Sequence, residues 1–326
     1  MFKSLPAITT NCFTETIRQP IYGVVIAITI LLLIFSPSLA MFTMDDDTLL
    51  LKDIGLSTLL VAGLFLAVFA AGTVITEEIE NKTVLTVLSK TVTRSTFILG
   101  KFFGITAAVL LAMYFLSLVL LMLIRNGVPQ TARHESDTVV ITFGVGALVL
   151  TLFACLAGNY LYRWRFSTTF VLVGSFLSTL AIFVMAFLDE HWAYNPQENH
   201  LATELIGPIL LTGIAVLILT AIAIMVATRL GLVLTLSLCG LIFVLGVVLQ
   251  HLLGPVVLAD SGWMSTLAWI VLAIVPSLHF YVVTNAIYTS TTVPFDYIGQ
   301  TALYALCYII AILLLAIALF RSREVG

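Results

Sequence analysis

The sequence predicts an all-α, polytopic membrane protein, and three observations carry that reading. Of its 326 residues, 61% are hydrophobic and only 10% charged, with a mean hydropathy of +1.15, far from the roughly 25% charged content of a soluble domain. Apolar runs near the ~20 residues that a spanning helix needs recur along the chain. The basic residues also segregate between alternate gaps. With the N-terminus inside and eight spans, Lys3, Arg18, Lys82, Lys90, Arg94, Lys101, Arg163, Arg165, Arg229, Arg321 and Arg323 fall inside, against Lys52, Arg125 and Arg133 outside, as the positive-inside bias requires.

Residues 1–20 mix polar and apolar side chains and carry Lys3 and Arg18, a pattern suited to an interfacial helix ahead of the first span. The eight runs start near Tyr22, Leu56, Phe102, Val139, Ser167, Gly207, Leu232 and Gln300. The first resembles a signal peptide in ending on SPSLA, but its apolar run and the long region before it favour a retained span. YLYRWRF, residues 160–166, interleaves aromatic and basic side chains as at a bilayer–water interface. A further apolar stretch, 263–280, is interrupted by Pro276; a ninth span there would move Arg321 and Arg323 outside, so region 263–298 is expected to be an outer re-entrant element. Both termini are then cytoplasmic. No gap is long enough for a soluble domain, so 1–326 forms one transmembrane domain.

Little in the chain points to chemistry. Cys12, Cys155, Cys239 and Cys307 are scattered and read as packing residues. The phosphate-cradling Gly-x-x-x-x-Gly-Lys-Ser/Thr loop is missing, and Gly100-Lys101 is followed by Phe102. The five histidines are dispersed; His191 and His200 share a loop with Asp189, Glu190 and Glu198, read as a solvated acidic loop rather than a metal site. No nucleophile, acid and base cluster at one membrane depth, so no catalytic, cofactor or metal residues are assigned and an enzyme is not expected. Nothing suggests a nucleic-acid partner. The spans are almost free of ionisable groups, which argues against an ion-coupled carrier and suits an apolar or amphipathic substrate. Gly100-Lys101-Phe102-Phe103-Gly104 matches the Gly-x-x-x-Gly close-packing pattern, a weak signal alone.

One segment stands apart. Residues 75–104 hold Glu77, Glu78, Glu80, Lys82, Lys90, Arg94 and Lys101 between two apolar runs. It resembles the cytoplasmic loop of permease subunits of the type-2 ATP-binding-cassette (ABC-2) exporter family, which runs Glu-x-Gly-Thr, a leucine-rich turn, Pro-Val-Ser-Arg and Gly-Lys. The matching residues are Glu80 and Thr83, Leu85 and Leu88, the run Ser89 to Arg94, and Gly100-Lys101; Lys82 departs where glycine is common, and Thr91 where proline is. Thr14-Glu15 to Arg18 is similar to the family's N-terminal elbow, Val275-Pro276-Ser277 to its re-entrant element, and FRSRE, 320–324, to its basic end.

The resemblance implies a bacterial inner-membrane permease that couples to a separate ABC ATPase subunit and pairs with a second permease chain, identical or not. ATP and magnesium would sit on the ATPase, and no cofactor in this chain. Six spans are usual in the family, so eight implies an extra pair, among those starting at Val139, Ser167 and Gly207; the nearest subgroup is the permease of nitrous-oxide-reductase maturation systems. In that role, residues 76–101 form the coupling loop. Glu77, Glu78 and Glu80 open a helix where the macrodipole favours acids, Val84, Val87 and Leu88 form an apolar ridge at i, i+3 and i+4, and Lys90, Arg94 and Lys101 return the chain to the membrane. Thr83 completes the ATPase-coupling set. The rival readings are a membrane assembly scaffold without transport and, behind it, an integral membrane enzyme.

Overall fold

The structure, a computed structural model, describes residues 4–40, 47–76, 93–128, 137–195, 201–258, 262–283 and 293–321. Among them are ten α-helices and no strand: α1 Ser4–Arg18, α2 Pro20–Ala40, α3 Asp47–Ala71, α4 Arg94–Asn126, α5 Thr138–Tyr162, α6 Phe166–Met185, α7 Ile206–Ala227, α8 Leu232–Leu258, α9 Trp263–Ile274 and α10 Phe295–Arg321. Eight of them, α2 to α8 and α10, are long and apolar enough to cross a membrane. The eight expected spans are thus present, and the chain is a polytopic helical protein.

Burial separates the eight by role. α7 is apolar all round and sits at the centre: Leu211, Ala215, Val216, Ile218, Leu219 and Ala221 are fully buried, as expected for a helix surrounded by others. It packs on α3, α4, α8 and α10. Gly63 makes the α3–α7 approach possible, since a Cβ there would lie 2.2 Å from Val216 Cγ2. By contrast α5 packs chiefly on α6 and α4 and leaves Phe153 and Leu156 largely exposed. α5 therefore lies at the periphery, as does α8, the least buried of the eight, whereas α6 is held against α4 and α2.

Several hydroxyls inside the apolar helices are satisfied by the preceding turn, although the buried Thr106 hydroxyl of α4 has no hydrogen-bond partner among the described residues. Thr29 donates to Val25 O, Thr151 to Ala147 O, Thr212 to Pro208 O and Thr220 to Val216 O, at 2.7–2.9 Å, which removes the cost of leaving them unpaired in hydrocarbon. Between helices, the buried Tyr22 hydroxyl donates to Ala108 O at 2.7 Å and ties α2 to α4.

The helix ends establish parity. The last turn of α10 meets the first residue of α4 through Arg94 and the end of α7 through Arg229. The starts of α3 and α7 meet through Lys52 and Glu204, and the end of α4 meets the start of α5 through Arg125 and Asp137. α10 thus runs with α3 and α7, and the last turn of α8 lies at the same end of the bundle as the first turn of α10. α9 has only 12 residues, about 18 Å of helix against a hydrocarbon core of about 30 Å. It ends at Val275, before Pro276, and a 3₁₀ turn, Leu278–Tyr281, folds back onto α8 and α7. A Cβ on Gly246 of α8 would lie 2.7 Å from Pro276 O, so glycine admits the returning backbone. Residues 263–281 thus form no ninth helix of spanning length, and of the expected re-entrant region 263–298, residues 284–292 lie outside the described residues.

Candidate functional site

Two bundle ends can be compared, and the one that carries the polar loop holds the candidate site. Just before the loop, α3 relaxes into a π-helical turn, Gly72–Thr76, a form that recurs at functional sites. Thr73 of this turn donates from its hydroxyl to Gln19 Oε1 at 2.6 Å, which fixes the exit of α3 to the α1–α2 junction. Glu77, Glu78, Glu80, Thr83, Val84, Val87, Leu88 and Lys90 lie outside the described residues. Arg94 and Lys101 lie within them. Both are on α4, which starts at Arg94, so residues 94–101 are its first two turns rather than loop.

α4 starts there for a local reason. Thr93 has an extended backbone, and its hydroxyl accepts from Thr96 N at 3.3 Å as an N-cap. Arg94 Nη1 then donates to Phe320 O at 3.3 Å and to Arg321 O at 2.5 Å, while Arg229 Nη2 donates to Leu319 O at 2.6 Å. Two guanidinium groups therefore satisfy the terminal carbonyls of α10, where the helix dipole favours positive charge. One turn on, the Phe97 ring stacks on Phe320 with centroids 5.6 Å apart.

Lys101 is 2% exposed. Its Nζ lies 3.5 Å from Glu15 Oε2 of α1 and 5.7 Å from the centre of the Phe97 ring. A lysine this buried needs such partners, because an unpaired charge there would be strongly disfavoured. The glycines on either side admit α1: a Cβ on Gly100 would lie 2.6 Å from Ile8 Cγ2, and one on Gly104 would lie 2.6 Å from Cys12 Cβ and 2.7 Å from Thr9 O. The Gly-x-x-x-Gly pattern is thus a genuine helix-packing site. Its target is the chain's own α1. Packed along α4, α1 buries Cys12, Thr16 and Ile17 and exposes Thr10, Asn11 and Arg18.

Both flanks of the loop are therefore tied to helices other than their own: the exit of α3 to the α1–α2 junction, and the start of α4 to α10 and α1. Sequence reasoning singled out Arg94 and Lys101 but not Gln19, Thr73, Glu15, Arg229 or Phe320, which receive them. Glu15, the one acid in α1, was the readable signal, since a lone acid facing a basic stretch is a natural counter-charge.

At the opposite end, Arg125 is buried. Its Nε is 3.0 Å from Asp137 Oδ2, and its two terminal nitrogens donate to Met185 O at 2.6 Å and Leu188 O at 2.9 Å. Asp137 Oδ1 also caps α5 by accepting from Val139 N and Val140 N. On the 3₁₀ turn, the His279 ring meets His251 edge-to-face with centroids 4.4 Å apart; burial, and then His251, hold the His279 imidazole below its ordinary pKa. Tyr297 donates to Phe280 O, Tyr308 to Ile274 O and Tyr281 to Thr301 O, at 2.6–2.8 Å, which pins this segment to α10. A side-open cavity of about 600 Å³ runs between α2 and α3, lined by Val25, Ile28, Leu32, Val61 and Phe65, with Asp53 and Ser57 among the few polar groups. Its size suits a small or amphipathic ligand.

His191 lies 3.5 Å from Glu190 on an exposed loop, and His200 lies outside the described residues. Among the described residues no three metal-ligating side chains come together. The chain matches no protein-family model and no curated protein sequence.

Proposed function

We propose that the chain is the permease subunit of an ABC-2-type exporter, receiving force through residues 77–94 from a separate ATPase. The observation that carries this is the double anchoring of the loop. A partner that displaces the loop displaces Thr73 against Gln19, Arg94 against the end of α10, and Lys101 against Glu15, so one push reaches the α1–α2 junction, α10 and α1. A linker that only joined two spans would need none of these ties. The apolar cavity along α3 supports an apolar or amphipathic substrate, its open side closed by a second permease chain.

The test reverses the loop acids and spares Arg94, whose guanidinium already holds α10. Glu77→Lys, Glu78→Lys and Glu80→Lys together are expected to leave the protein inserted and monodisperse and to abolish co-purification with the ABC ATPase that accompanies the wild-type chain. Undiminished co-purification removes the dock from this loop. If no ATPase accompanies the wild-type chain, the scaffold reading replaces the transporter.

A further inference from the structure

We infer that Arg18, Arg163 and Arg165, framed by Tyr160, Tyr162 and Trp164, form a binding site for the phosphodiester headgroup of an anionic membrane lipid. The site is independent of the transport reading. It begins at the tight turn between α5 and α6. Arg163 takes the left-handed conformation (φ 57°, ψ 31°) that closes α5, a place where glycine is the usual choice. Trp164 folds back over Gly158, where a Cβ would lie 2.6 Å from its ring. Asn159 Nδ2 donates to Trp164 O at 2.8 Å, and Tyr162 stacks on the indole with centroids 5.3 Å apart. The turn is thus held by three specific contacts.

Tertiary packing then adds the third arginine. Ser167 Oγ shares its single donor between Ile17 O at 3.0 Å and Gln19 O at 3.2 Å, and Thr168 Oγ1 donates to Ile17 O at 3.3 Å. Those carbonyls flank Arg18, and Ser167 lies two residues from Arg165, so residues far apart in sequence meet at one corner. All three arginines are exposed. Among the described residues their side chains make no hydrogen bond or ion pair, and the nearby acid, Glu15, is engaged by Lys101.

The surroundings identify the ligand. Tyr160 and Tyr162 are 87% and 67% exposed at the end of a helix whose outward face is apolar, which is how aromatic side chains sit at headgroup depth. A guanidinium fork matches phosphate oxygens in pairs. A lipid satisfies both features at once, its phosphate on the arginines and its acyl chains along the exposed Leu161, Leu156 and Phe153.

The test measures competition between spin-labelled phosphatidylglycerol and spin-labelled phosphatidylcholine for the protein surface, with the full chain in phosphatidylcholine vesicles. Wild type is expected to immobilise phosphatidylglycerol preferentially, and each Arg→Gln change at 18, 163 or 165 to lower that preference about fivefold. Arg→Lys changes should lower it by less, since the charge remains while the paired contacts of the fork are lost. Phosphatidylcholine immobilisation, unchanged throughout, reports that the variants remain folded. The proposal fails if the triple Gln variant keeps the wild-type preference. It fails equally if inorganic phosphate displaces the labelled lipid, which would mark a free-phosphate site.

Discussion

The two ends of the bundle hold their charges in different ways. At the end away from the polar loop, Arg125 and Asp137 are buried together, their side chains 0% and 8% exposed, and Lys52 is paired with Glu204. There, cation and anion close on each other. At the loop end, Arg94 and Arg229 spend their donors on backbone carbonyls of α10, Lys101 reaches α1 through Glu15, and Arg18, Arg163 and Arg165 face outward. A closed pair fixes helices to one another and offers nothing to a partner. Charges that clamp a helix end, or that stay exposed, leave a surface able to respond to one. Apart from the buried Lys101–Glu15 pair, the loop end thus keeps its described arginines on carbonyls or exposed, and under the proposed function that is the end a partner meets.

The largest test of that contrast is Arg125→Met. It leaves the Asp137 carboxylate buried and strips Met185 O and Leu188 O of their donors, so a loss of about 3–5 kcal/mol in stability is expected, read by denaturant titration in micelles. A loss below about 1 kcal/mol would mean that the closed end is not held by its pair. A smaller effect is expected at the loop end from Gly104→Leu. Its Cβ would occupy the space of Cys12 Cβ and Thr9 O, and overpacking of this kind costs about 1–3 kcal/mol. α1 must lift. In a Cys307→Ser background, because Cys307 is exposed while Cys12 is buried, Cys12 should become reactive to maleimide. A Cys12 that stays protected would show that α1 accommodates the change without moving.

The smallest effect concerns the 3₁₀ turn and its pH dependence. His279 has its folded pKa lowered by burial and by His251, so the unfolded state binds its proton first as pH falls. The stabilisation of the 3₁₀ turn is therefore complete above about pH 6.5, the imidazole's ordinary value, and is lost as pH drops from there toward the lower folded value. Hydrogen exchange at Leu278–Tyr281 should quicken through that window in wild type. In His279→Gln it should not, and a pH response that persists would assign the effect to another group.

Much of this protein was written in its sequence as a pattern of solvation. Apolar length fixes how many helices can cross hydrocarbon, so eight helices of spanning length, and none at 263–280, are legible without coordinates. The Thr93 cap and the Asp137 cap belong to the same class, because a cap depends on residues within one turn. What the sequence left open is which helix each side chain faces. Gly100 and Gly104 mark a close approach but do not name its partner. That α1 fills it, that α7 rather than α5 forms the centre, and that Arg94 clamps the end of α10 followed only from packing. Arg18 and Arg165 lie nearly 150 residues apart in sequence, and the hydroxyls of Ser167 and Thr168 bring them together. The physical reason is that a solvent preference acts on each segment by itself, whereas complementarity of shape and charge is a property of two surfaces and exists only once the fold has placed them in contact.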